Sequence, residues 1–196
     1  MKRIVLILGT LALFCGTASA GFIGNSNVGG ATVPVGSNCW YYQRFTADST
    51  GTTDSARIYA AGNDTVYLAF YAVHATYDTL PGALLWIGKP DSAVVTTAGW
   101  YKITMTGINL VAATKYFIAY GSATAFNVYK TSGTTSADST YGGNRCVGYN
   151  AGSFVDPAGA TSSSKEAKRG LQVFYTTSGG GGGGGGTGLR VIIQKH

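Results

Sequence analysis

Short runs of apolar residues, many of them alternating with polar ones, recur along the chain between clusters of Gly, Asp, Asn, Ser and Thr. Residues 65–73 show the pattern best: Val66, Leu68 and Phe70 fall on one face of an extended strand, and Tyr67, Ala69 and Tyr71 on the other. Residues 100–106 alternate likewise, with Tyr101, Ile103 and Met105 opposite Trp100, Lys102 and Thr104. Runs at 41–46, 55–60, 84–87, 115–120, 126–130 and 170–176 complete the set. The turn-rich stretch Asp48, Ser49, Thr50 and Gly51, the stretch Gly62, Asn63 and Asp64, and the Pro81–Gly82 pair separate them. Period two in short runs bounded by turn residues predicts strands that pack one face on a core. The predicted fold class is all-β, an antiparallel, jelly-roll-like β-sandwich.

Two regions break the pattern. Residues 132–164 are rich in Gly, Ser, Thr and Asn and read as loops crossing the sandwich surface. Residues 179–186 are eight consecutive glycines, which lose too much backbone entropy on ordering to hold regular structure. Beyond them lies a short C-terminal β-strand, with Leu189, Val191 and Ile193 on one face and Arg190, Ile192 and Gln194 on the other. Eight glycines reach roughly 27 Å when extended and span about 16 Å on average. That strand can therefore return to its own sheet or add to the open edge of a neighbour's. The organisation expected is a signal peptide at 1–20, a β-sandwich at 21–177, a Gly-rich linker at 178–188 and a C-terminal strand at 189–196.

The signal peptide rests on Lys2 and Arg3, the apolar run 4–14 and the small residues Ala18, Ser19 and Ala20. Eleven apolar residues fall short of the roughly 20 that span a bilayer, and no later run is longer, so no membrane insertion is expected. Cys15 could be lipidated only after a small residue, and Phe14 precedes it. The expected location is outside the cell or on its surface. Without Lys2 and Arg3 the 14 basic residues become 12 against 8 acidic, a net charge of +4. This mild excess predicts no nucleic-acid partner. Its one cluster, Lys165, Lys168 and Arg169, interrupted by Glu166, reads as a solvated loop. Cys39 and Cys146 remain as an even pair and suggest a disulfide in an oxidising compartment, with two buried thiols as the alternative.

Catalytic groups are scarce. The histidines are His74 and His196. A nucleophile needs a histidine base and an acidic orienter; His74 and Asp78 lie close, yet no Gly-x-Ser-x-Gly elbow is present. The seven aspartates mostly occupy turns, and Glu166 is the single glutamate. The glycine tract lacks the Lys-Ser/Thr pair of a phosphate loop. No enzyme and no cofactor are expected, and zinc lacks ligands. A structural calcium ion could use Asp48, Asp64, Asp78 or Asp91 with loop carbonyls, although none shows a diagnostic spacing.

Several segments in order carry a likeness: Tyr42-Gln43-Arg44-Phe45-Thr46-Ala47, Ser55-Ala56-Arg57-Ile58-Tyr59 and Val66-Tyr67-Leu68-Ala69-Phe70-Tyr71. Leu80-Pro81-Gly82-Ala83-Leu84-Leu85, Gly99-Trp100-Tyr101-Lys102-Ile103 and Thr114-Lys115-Tyr116-Phe117-Ile118-Ala119 follow. Over residues 40–176 this order resembles bacterial extracellular jelly-roll-like domains of the "choice-of-anchor" type. The resemblance implies a sandwich used in surface display or binding, with no catalytic motif to carry over.

The function expected is a non-catalytic secreted adhesive or structural subunit, associating with itself or a surface partner by strand addition through Leu189, Val191 and Ile193. The alternative is a carbohydrate-binding module, since flat aromatic rings match the apolar faces of sugars. Trp40, Tyr41, Tyr42, Trp86, Trp100, Tyr141 and Tyr149 supply rings. Trp40, Tyr141 and Tyr149 are the preferred glycan contacts because they lie in or beside irregular segments; packing is the competing role of each. A hydrolase stands third.

Overall fold

A computed structural model describes residues 19–62, 65–88, 95–105, 107–131, 139–145 and 164–177. The described chain is all-β, two antiparallel sheets packed face to face as a β-sandwich. The first sheet contains β1 (Ala20–Gly24), β2 (Ala31–Val35), β4 (Gly51–Ala61), β7 (Gly99–Thr104), β8 (Asn109–Leu110), β10 (Phe126–Lys130) and β13 (Leu171–Thr177). Its long central strand, β4, pairs with β13 and β10 and also with β7 and β8, while β1 lies outside β13 and β2 outside β10. The second sheet runs β12 (Ser164–Ala167), β11 (Ser139–Arg145), β3 (Cys39–Thr46), β9 (Lys115–Ser122), β5 (Tyr67–Val73) and β6 (Pro81–Gly88).

Alternation places the core as expected. Ile23, Ile58, Ile103 and Val173 from the first sheet join Phe45, Leu68, Phe70 and Ile118 from the second in one buried cluster. Each such side chain contributes roughly 1.5–3 kcal/mol by leaving water.

The second sheet departs from a one-faced pattern. Trp40, Tyr42, Ala69, Tyr71, Phe117 and Ala119, on the face turned away from that core, form a second buried cluster. Trp40 is 0% exposed and stacks on Tyr71 at 5.9 Å between ring centroids. The expectation of Trp40 as an exposed ligand contact is thereby corrected. Alternation separates two faces but does not say which one water reaches, and here these six side chains are buried on the outer one as well.

Three further expectations change. The stretch read as loops contains β11, which pairs with β3 on one side and β12 on the other. Its glycines leave no apolar alternation to read, and ladder hydrogen bonds hold it. The Pro81–Gly82 pair begins β6 rather than forming the turn, which closes earlier through Leu80 N–H to Tyr77 O (3.1 Å) and His74 N–H to Leu80 O (2.9 Å). A proline at the first position of a strand sacrifices no ladder donor in its interior. Finally, Arg169 is buried rather than solvated, with its guanidinium 5.7 Å from the Tyr41 ring and 5.8 Å from the Tyr120 ring.

Candidate functional site

The outward face of the first sheet carries a row of rings built by strand pairing. On β4, Ala56, Ile58 and Ala60 are buried in the core, so Arg57 and Tyr59 between them point to the opposite face. Register then sets Gln172 of β13 and Lys102 of β7 opposite Arg57, and Trp100 of β7 opposite Tyr59. At the outer edge Phe22 of β1 stands opposite Phe174 of β13.

Contacts run continuously along this row. The Phe22 and Phe174 rings lie 5.9 Å apart. The Arg57 guanidinium is 4.8 Å from the Phe174 ring and 4.5 Å from the Trp100 ring. Trp100 meets Tyr59 edge-on at 5.4 Å, and Tyr59 meets Tyr129 of β10 edge-on at 5.0 Å. Phe22 is 39% exposed and the other rings are partly open. Gly170 makes the close approach possible: a Cβ there would come within 2.8 Å of Tyr59 and Val28.

The electrostatics of the row are unusual. Burial lowers the pKa of Arg57 from its ordinary value. Its Nε donates to Oε1 of the fully buried Gln172. Among the described residues, Arg57 and Lys102 make no ion pair; those present join Asp78 to Arg44 and to Lys115. The nearest acid along β4, Asp54, accepts a hydrogen bond from the Ser55 hydroxyl at 2.6 Å.

Among the described residues, those singled out from sequence do not converge. Tyr141 is half-buried on β11 with Arg44 stacked 4.5 Å from its ring, while Trp40 is enclosed on the same sheet. Tyr42 is buried, and Tyr41 and Trp86 lean on the core. Of the wider aromatic set, Trp100 joins the row. Cys39 is buried at the start of β3. Tyr149, Cys146, Leu189, Val191, Ile193, Asp64 and Asp91 lie outside the described residues. Phe22, Arg57, Tyr59, Tyr129 and Phe174 were not anticipated. The alternation of Arg57 and Tyr59 within an apolar strand was the available clue.

His74 and Asp78 are turned to different partners. His74 Nδ1 accepts from the backbone N–H groups of Thr76 (3.1 Å) and Tyr77 (3.3 Å), and its ring stacks on Tyr77. The Asp78 carboxylate faces Lys115 and Arg44. An open depression of about 380 Å³ nearby is lined by Ala72, Val73, Ala113, Thr114, Lys115 and Tyr116, and its one charged side chain is that same Lys115. Among the described residues, no three His, Cys, Asp or Glu side chains gather as metal ligands. Compared with known proteins, the chain matches no protein-family model and no curated protein.

Proposed function

We propose that this protein is an exported, non-catalytic binding module that takes a glycan chain on the outward face of its first sheet. The row from Phe22 through Phe174, Arg57, Trp100 and Tyr59 to Tyr129 carries this reading. Apolar C–H faces of sugar rings stack on such rings, and the sugars' hydroxyls find donors in Arg57 and Lys102 at the margins. Aromatic side chains lose little conformational entropy on binding, more so when held by a sheet and by each other. The signal peptide expected at residues 1–20 and the resemblance to extracellular display domains agree with a role outside the cell. Affinity electrophoresis through gels containing soluble polysaccharides tests it. Trp100→Ala and Tyr59→Ala should release a retarded protein; retardation unchanged in both variants removes the reading.

A second reading, assembly by strand addition, draws on β6. This edge strand pairs only with β5 among the described residues, carries no charged side chain over Pro81–Gly88, and exposes Leu85 (40%) and Ile87 (37%). Edges of soluble sheets usually carry charge or proline to discourage pairing; here the single proline sits at the end. An apolar donor such as residues 189–194, tethered beyond the end of β13 at Thr177, is the matching partner. The mass in solution of residues 21–196, beside a chain ending at Ser178, decides it. Oligomers of the longer form alone support assembly; two monomers exclude it.

A further inference from the structure

Resting on the glycan reading, we infer that the ligand is an acidic glycan, whose ring carboxylate or sulfate ester is held by Arg57 and Lys102 while its sugar faces lie on Trp100 and Phe174.

A row meant only for neutral sugar needs rings and hydrogen-bonding groups but no unpaired charge. This row has two cations directly opposite each other in register, Arg57 and Lys102. Like charges facing across a strand pair repel and destabilise the sheet. A salt-bridged sheet surface would set an acid between them. Neither side chain makes an ion pair among the described residues, and Asp54 is occupied by Ser55. An anion delivered by a ligand would relieve the repulsion.

The local geometry also suits an anion. Arg57 lies between the Trp100 and Phe174 rings, at 4.5 and 4.8 Å, and its Nε is fixed by Gln172. With Nε engaged and the guanidinium plane clamped, its terminal N–H groups hold a set direction. A clamped guanidinium loses little freedom when it forms two parallel hydrogen bonds to a carboxylate or sulfate. The flanking rings and the partial burial of Arg57 lower the local dielectric, which strengthens those bonds. The exposed Lys102 supplies a second, mobile charge. Stacking surface and charge thus stand side by side, as a sugar bearing an acidic substituent requires.

The experiment compares the exported protein in gels containing polygalacturonate, dextran sulfate or neutral dextran, each at low and at physiological salt. We expect retardation by an acidic polymer at least about tenfold stronger than by dextran, with the carboxylate and sulfate arms naming the group. Arg57→Gln should remove that preference, about tenfold in affinity for one bidentate charge-assisted pair. Arg57→Lys should recover part of it, because the charge returns without the planar fork. Lys102→Gln, at an exposed position, tests the same anion without threatening the fold and should weaken binding several-fold. If dextran binds as well as the acidic polymers and Arg57→Gln changes nothing, the acidic preference falls and the glycan face stands. Acidic polymers that bind Trp100→Ala and Arg57→Gln as well as the unaltered protein, and lose all forms at physiological salt, would reveal diffuse charge attraction and overturn the inference. No retardation in any gel overturns the glycan reading as well.

Discussion

Gln43 ties the second sheet to Arg169 at the entrance of the first. The Arg169 backbone N–H donates to Gln43 Oε1 at 2.8 Å, and Gln43 Nε2 donates to the Ala167 carbonyl at 2.6 Å. Gln43 is fully buried on β3, and the chain it grips continues two residues later into β13, beside the central strand of the other sheet. The Arg169 guanidinium meanwhile rests near Tyr41 and Tyr120. A single side-chain amide therefore satisfies two buried backbone groups at the crossing between sheets.

Replacing Gln43 with Leu keeps the volume and strands both backbone partners. Each buried group left unsatisfied costs about 1–3 kcal/mol, so Gln43→Leu should destabilise by about 2–6 kcal/mol. Gln43→Glu should fare no better, because a carboxylate cannot donate to the Ala167 carbonyl. Urea unfolding checks this; a loss under 1 kcal/mol for Gln43→Leu would show that the bridge is dispensable.

Gly24 fixes the edge of the ring row. Its φ is +127°, and a Cβ there would lie 2.0 Å from the Leu171 carbonyl oxygen. Gly24→Ala combines backbone strain with a clash against backbone that cannot rotate away, for a cost of about 2–4 kcal/mol. The damage should stay local to β1. Hydrogen exchange should show Phe22 and Ile23 losing protection while the amides of β9 keep theirs.

Asp78 sets a pH dependence of known sign. The hydrogen bond from Lys115 holds its carboxyl below the ordinary value of 3.8, opposed by desolvation and aided by the charges of Lys115 and Arg44. A depressed carboxyl favours the folded state fully above its unfolded value. That contribution fades as pH falls through the lower folded value. Lys115→Met should therefore raise the Asp78 midpoint in a carboxyl NMR titration. The stability difference between the two proteins should be present at neutral pH and shrink as pH falls below 3.8 and through the lower folded value. The group is exposed, so 1 M salt should shrink the difference.

The strands legible in the sequence were those with an alternating or continuous apolar run of their own, such as β5, β7 and β9. β11 was not, because Ser139-Thr140-Tyr141-Gly142-Gly143-Asn144-Arg145 has no apolar face and exists through its two neighbours. The outer face of the second sheet misled for a different reason. Trp40 and Tyr42 look the same in sequence whether a face is open or covered. Arg169 read as solvated because it follows charged residues, while the rings that bury it come from β3 and β9. The ring row needed pairing register: Phe22, Arg57, Trp100 and Phe174 are scattered over most of the chain and meet only through β13 and β7 flanking β4.

The same register argument bears on the cysteines. The antiparallel ladder between β3 and β11 ends at Trp40 opposite Arg145, the covalent neighbours of Cys39 and Cys146. The ladder thus lays the two segments that carry the cysteines alongside each other as far as their immediate neighbours. Opposed residues in such ladders have Cα atoms about 4.5–5.5 Å apart, inside the range a disulfide accepts. Protein produced in an oxidising compartment and denatured without reductant should therefore show no reactive thiol. Cys39→Ala and Cys146→Ala should each cost about 4–5 kcal/mol, the loop-closure value for a loop near 100 residues. The double variant should cost no more than either single one, since both remove the same bond. Two titratable thiols in the unreduced protein would rule out the bridge and leave β11 held by its ladders alone.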